Sequence, residues 1–339
     1  MLRRVTLSAL LVAAPLAAQR PTTAADVQRI IGALAHDSME GRFTGTAGER
    51  RAAAYIAATM KGLGLTPAGD SGYHQRVALA VVPVANPRPG GRTERNMRVA
   101  SFEARDTFPA DRRRTGYNVL GVLPGSDASV KDEIILVDAH YDHVGIGRPV
   151  DGDSIYNGAD DDASGVVTVL EIARQLLAGK AARRTVVFAT MTGEEQGLLG
   201  TGWYIEHPPF PLERHVGNLE VEMIGRPDSL AGGFGKGWLT GYERSTMGAA
   251  LAAAGIPLVA DPRPDQRFFE RSDNIAFARR GIVAHTLSSF NLHTDYHRPS
   301  DEASKVDAEH MAAVINAATK AVRVLADGPT PTWVPGGKP

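Results

Sequence analysis

Cysteine is absent from all 339 residues, which excludes disulfides, a lipid-anchored cysteine and any thiolate metal ligand. Charge of one sign is missing too. The 37 Lys and Arg against 38 Asp and Glu leave a formal net charge of -1, so the charge balance gives no reason to expect nucleic acid as a partner. Beyond the N-terminus no run is long and apolar enough to cross a bilayer, and no internal repeat is visible. What is present is a chain 43% hydrophobic and 22% charged, enough to bury a sizeable core.

The N-terminus reads as an address. Arg3 and Arg4 are followed by the apolar stretch Leu7 to Ala14 and by small residues at Ala17 and Ala18, the order of a secretory signal peptide. The expected organisation is a signal over 1–18, a single domain over 19–327 and a mobile Pro- and Gly-rich tail over 328–339. The mature protein would be exported, periplasmic or extracellular, with no stable membrane anchor after signal cleavage. Helical apolar spacing marks Ala24 to Ala35, with Thr22 or Thr23 as cap, and Ala47 to Leu63, ended by Gly64. Val77 to Val82 reads as a strand, and Pro83 to Thr115 as an irregular excursion without a core of its own. From there β-rich runs alternate with helical ones. Strands are expected at 117–123, 133–139, 185–190, 216–224 and 282–287, and helices at 163–177, 198–205, 244–254, 273–278 and 307–325. That alternation predicts an α/β fold, a mixed sheet with parallel central strands and helices on both faces.

Carboxylates and histidines gather just after the predicted strands, where open α/β sheets place their ligand sites. His140-Tyr141-Asp142 follows one strand. A histidine there can hold a metal through one ring nitrogen while a nearby carboxylate fixes the other. Asp160-Asp161-Asp162 opens a helix. One aspartate would be explained as a cap, but three adjacent ones repel unless cations or donors compensate. Glu194-Glu195 follows the next strand, where one carboxylate can bind metal and the other move protons. Glu222 lies late in an apolar strand, where an unpaired charge is costly. His293 to Asp301 follows the last strand.

In order and spacing these pieces resemble the two-zinc exopeptidases that include bacterial leucine aminopeptidases, glutamate carboxypeptidases and glutaminyl cyclases. The resemblance runs from about Glu40 to the final helix and rests on HYDHVG at His140, GADDDASG at Gly158, TGEEQGLLG at Thr192, EMIGR at Glu222 and DYHRPSD at Asp295. It implies two Zn2+ per chain, one held by His140 and Glu222, the other by Glu195 and His297, with Asp161 bridging both. It further implies Glu194 as general base, Asp142 as the partner that orients His140, and Tyr296 as a group that polarises the substrate carbonyl. A cis peptide bond at Asp161–Asp162 belongs to the same expectation.

Two departures stand out: Glu222 where many members have aspartate, and Arg271-Ser272-Asp273-Asn274 where they often read Ser-Asp-His. His143 reads as a bystander beside a ligand, and His36, His74, His207, His215, His285 and His310 as ordinary structural or surface residues. His293 is an even choice, four residues from His297. Ser164 and Ser288 lack a nucleophile elbow. The expected function is therefore an exported dizinc aminopeptidase acting on peptide substrates through a metal-activated water. The alternatives are a carboxypeptidase, a glutaminyl cyclase of the same fold, or a binding protein without catalysis.

Overall fold

The computed structural model describes residues 20–85 and 92–339; the expected signal over 1–18 lies outside the described residues. The strands are β1 (Thr66–Pro67), β2 (His74–Pro83), β3 (Glu94–Arg98), β4 (Arg113–Leu123), β5 (Ile134–His140), β6 (Gly145–Val150), β7 (Asp153–Tyr156), β8 (Thr185–Met191), β9 (His215–Val221), β10 (Gly237–Leu239), β11 (Leu258–Ala260) and β12 (Ala284–Ser288). The helices are α1 (Ala24–Leu34), α2 (Ala47–Leu63), α3 (Phe102–Asp106), α4 (Ser164–Ala178), α5 (Leu199–Glu206), α6 (Thr246–Ala253), α7 (Asn274–Arg279) and α8 (Ala308–Asp327).

Ten strands form one sheet in the order β11-β10-β12-β9-β5-β8-β4-β2-β3, with β1 pairing β4 from the side. The four central strands β12, β9, β5 and β8 run parallel, and β4, β2 and β3 continue the sheet antiparallel. The sequence dictates which strands are central. Every residue of β5 is buried, as expected where both faces are covered. Alternation then sorts its side chains: Ile135, Val137 and Ala139 join the core under α1, α2, α4 and α8. Ile134 and Leu136 join the opposite core, which takes Tyr204 from α5 and Phe277 from α7. Helices thus cover both faces.

Local signals set the element ends. Thr23 and Asp26 form a capping box at the start of α1. Gly64 ends α2 at φ 89, a left-handed value that glycine adopts without penalty. Two expectations need correction. The excursion over 83–115 contributes the edge strand β3 and the short helix α3. An edge strand exposes most of its side chains, so it shows little apolar period. The tail over 328–339 is docked rather than loose. Trp333 donates from its indole nitrogen to the Gly281 carbonyl at 3.0 Å and meets Phe269 and His285 edge-on or tilted, while the Val334 N–H donates to the Arg244 carbonyl. Among the described residues no helix is long and apolar enough to cross a membrane.

Candidate metal centre

The C-terminal ends of the parallel strands converge on one spot. β5 delivers His140 as its last residue, the turn after β8 carries Glu194 and Glu195, and Glu222 follows β9 directly. Asp161 stands in the turn that opens α4, and the Asp161–Asp162 peptide is cis. His297 comes from the loop after β12, at φ 54.

These segments are fixed by buried polar groups, two of which, Arg42 and Glu49, had no role in the sequence reading. Arg42 is fully buried. Its guanidinium donates to the carbonyls of Leu34 (2.8 Å), Tyr141 (2.7 Å), Asn157 (2.6 Å) and Gly158 (2.8 Å), which ties the His140–Asp142 turn to the approach to Asp161. Glu49 accepts hydrogen bonds from the Gly45 and Tyr117 amides and from the Tyr141 and Thr192 hydroxyls. Burial pushes its carboxyl up to about 7. Asp301 accepts from the Asp160 and Asp161 amides at 3.1 Å, and Asp162 accepts from those of Gly165 and Met223. Two of the three adjacent aspartates thus have structural duties. Asp160 takes the Gly225 amide at 2.6 Å and the His293 ring at 2.8 Å, which gives His293 a supporting place away from the metal cluster.

Asp161 is left facing inward. Its Oδ1 lies 3.3 Å from His140 Nε2 and its Oδ2 3.1 Å from His297 Nε2. His297 Nε2 also lies 3.0 Å from Glu195 Oε1. Two groups of donor atoms result, each within a 4.8 Å span: His140, Asp161 and Glu222, and His143, Asp161, Glu195 and His297. Asp161 belongs to both. His143, read from sequence as a bystander, is drawn into the second group, its Nδ1 2.9 Å from Glu195 Oε1. Asp142 is arranged differently from the expectation. His140 Nδ1 is nearest the backbone oxygen of Asp142 (3.2 Å), with the carboxylate at 3.7 Å. That carboxylate instead accepts the Glu194 amide at 3.0 Å and the Thr44 hydroxyl at 3.2 Å. Asp142 therefore couples the position of His140 to that of Glu194.

The electrostatics are those of a crowded, buried cluster of carboxylates and histidines. Burial alone would lower the His140 pKa, but Asp142 and Asp161 raise it well above its ordinary value. Burial works against ionised Asp161, yet the facing histidines hold it well below the usual carboxylate range. Burial pushes Glu194 well above that range, and Glu195 and Glu222 add to the effect. Burial and Glu220 push Glu222 up to about 8. The donor set fits zinc on two counts. Imidazole and carboxylate are ordinary zinc ligands, and buried His140 Nε2, His143 Nδ1 and Glu195 Oε1 have no hydrogen-bond partner among the described residues, although buried polar atoms normally do.

Beside the donors opens a pocket walled by Met223, Trp238, Phe268, Phe290 and Tyr296, with Asp161, Glu194, Glu222 and His297 on its reactive side. Tyr296 stacks on the His297 ring, their centroids 3.9 Å apart. Burial, then the nearby carboxylates, raise the Tyr296 pKa above its ordinary value, so the phenol remains protonated and able to donate.

Comparison with known proteins agrees with this geometry. Residues 118–322 match the model of peptidase family M28. Over 212 residues the chain is 29% identical to leucine aminopeptidase 1 of Trichophyton rubrum, covering 58% of this chain and 54% of that protein. Over 229 residues it is 25% identical to aminopeptidase YwaD of Bacillus subtilis, covering 65% and 47%. The chain thus spans about half the length of these curated relatives. Among solved structures, the zinc aminopeptidase BSAP of Bacillus subtilis aligns over 91% of this chain and 96% of its own at TM-score 0.63 and 17% identity. The aminopeptidase of Aneurinibacillus sp. strain AM-1 aligns over 93% and 96% at TM-score 0.61 and 18% identity. At such identity these two establish the fold. The matched segment covers more than half of the chain and includes all eight candidate site residues, from His140 to His297; the chain belongs to peptidase family M28.

Proposed function

We propose that this protein is an exported dizinc aminopeptidase that removes N-terminal residues from peptides. The observation that supports it most is the pair of donor groups sharing Asp161, next to a half-buried Glu194 and a pocket with aromatic walls at Trp238, Phe268 and Phe290. His140 and Glu222 would hold one zinc, Glu195 and His297 the other, with Asp161 common to both. When bound, zinc supplies Lewis acidity that makes a nearby water easier to deprotonate and a carbonyl easier to attack.

The remaining work falls to side chains. Glu194, its amide held by Asp142, accepts the proton of the attacking water and delivers it to the departing amine. Tyr296 stays protonated and donates a hydrogen bond to the oxygen that gains charge. The walls of Trp238, Phe268 and Phe290 exclude water and accept an apolar side chain. The carboxylates on the reactive side attract the free α-amino group, which favours the N-terminal over the C-terminal end of a peptide.

One feature favours a carboxypeptidase as second reading. Arg271 lines the same pocket, stacked 5.0 Å over Phe268, where its charge suits a substrate carboxylate. A panel of aminoacyl amides, N-blocked peptides and peptides with free ends separates the two. Turnover that requires a free amino terminus supports the aminopeptidase; turnover of N-blocked peptides with a free carboxylate rejects it. Export is tested by N-terminal sequencing of the mature protein, with a start near residue 19 expected.

A further inference from the structure

Resting on the two-zinc reading, we infer that His143 is a sixth metal ligand, so that the two metal positions are unlike: His143, Asp161, Glu195 and His297 form a closed four-ligand site, and His140, Asp161 and Glu222 an open three-ligand one.

Three observations carry this. The His143 ring is wholly buried, yet among the described residues neither of its nitrogens has a hydrogen-bond partner. A neutral imidazole carries one donor and one acceptor, and leaving both unmet in the interior is costly. Its Nδ1 lies 2.9 Å from Glu195 Oε1 and 3.8 Å from Asp161 Oδ2. Glu195 Oε1 also lacks a partner at that short separation, so the N–H direction misses it. Two ligands of one tetrahedral zinc stand about 3.3 Å apart without bonding to each other, between these two separations. Finally, the neighbouring backbone makes room for the ring. A Cβ on Gly158, which sits at φ +56, would come within 2.5 Å of His143 Cγ, so the ring reaches the cluster only because residue 158 is glycine.

Four protein ligands close a zinc site, whereas three leave a position for water or substrate. The His143 position therefore holds its ion more tightly and fills first. The His140–Glu222 position keeps a free place, and Glu222 lines the pocket, so water and the substrate enter there.

A purely supporting His143, hydrogen-bonded to Glu195, would also weaken metal affinity when removed, so affinity alone does not decide. Zinc-edge X-ray absorption counts imidazoles directly. In His140→Ala loaded with one zinc, two imidazoles per zinc are expected, falling to one in His140→Ala/His143→Gln. In the dizinc wild type the average is three per two ions, falling to two in His143→Gln, which covers the case of an unstable double variant. Chelator competition should show one site weakened by about tenfold or more in His143→Gln. One imidazole per zinc in His140→Ala, or an unchanged count on replacing His143, overturns the assignment and leaves the two-zinc reading standing. A wild type that retains less than one zinc overturns both.

Discussion

Arg42 offers a demanding test of how the site is held, because it touches none of the proposed ligands. Replacing it by Met keeps the apolar stem and removes the guanidinium. Four buried carbonyls, those of Leu34, Tyr141, Asn157 and Gly158, then lose their donor. At about 1 kcal/mol for each net hydrogen bond, the loss is roughly 4 kcal/mol. Burial already lowers the Arg42 pKa, so relief of the buried charge returns part of this, whereas stranded carbonyls each cost somewhat more than the mean. A net loss of about 3–5 kcal/mol remains, near the upper end of single-residue effects. For a domain of this size about 2 °C of Tm follows each kcal/mol, so the midpoint should fall by roughly 6–10 °C in a calorimetric scan. Arg42→Lys retains the charge but presents one compact ammonium to four separated carbonyls, and should recover less than half of the drop. Because the Tyr141 carbonyl directly follows His140 and the Gly158 carbonyl lies three residues before Asp161, zinc should also dissociate faster from the variant. An Arg42→Met midpoint within about 2 °C of wild type would refute the reasoning, since four simultaneous bonds to buried carbonyls cannot vanish at no cost.

Other outcomes follow from the same structure. Glu194→Gln keeps shape and metal but removes the base, so turnover should drop about a hundredfold or more with zinc content unchanged; near-normal turnover contradicts the assignment. Burial holds His285 down to about 4 against an unfolded value of 6.5, its ring bonded to the Thr240 carbonyl and Ser245 hydroxyl. The unfolded chain therefore binds the extra proton first. Stability from this group is intact above pH 6.5 and shrinks as pH falls towards 4, by up to about 3 kcal/mol. Denaturant titrations at pH 7 and 4.5 should show a smaller difference in His285→Phe than in wild type. Truncation before Thr332 removes the Trp333 anchor and should lower stability by about 2 kcal/mol or more; an unaffected midpoint would show the tail to be dispensable.

Much of this was legible because the chemistry sits where a one-dimensional pattern has a three-dimensional meaning. Runs such as 134–137 and 186–189 are apolar throughout, which marks central strands, and polar residues at and just after the ends of those strands mark the sheet edge where ligands bind. His140, Glu194 and Glu195 were singled out by that rule, and Glu222 by the cost of an unpaired charge late in an apolar strand. His143 was not, because its place in the cluster depends on the Gly158 conformation and on the Arg42 clamp, both remote in sequence. Arg42 and Glu49 look like surface charges until the loops around them close. The strand Glu94–Arg98 buries only Asn96, so it carries no period to read. In the tail, Pro and Gly signal irregular backbone, and irregular backbone still docks when an aromatic such as Trp333 finds a partner surface.

The central claim is that this chain holds two zinc ions through nitrogen and oxygen donors that share Asp161. The most direct test is elemental analysis of the purified, zinc-reconstituted protein after exhaustive removal of loose metal, repeated on His140→Ala and Asp161→Ala. The account predicts about two zinc per chain in the wild type, about one in His140→Ala, and loss at both positions in Asp161→Ala. Less than one zinc per wild-type chain, or an Asp161→Ala protein that still retains two, would contradict it.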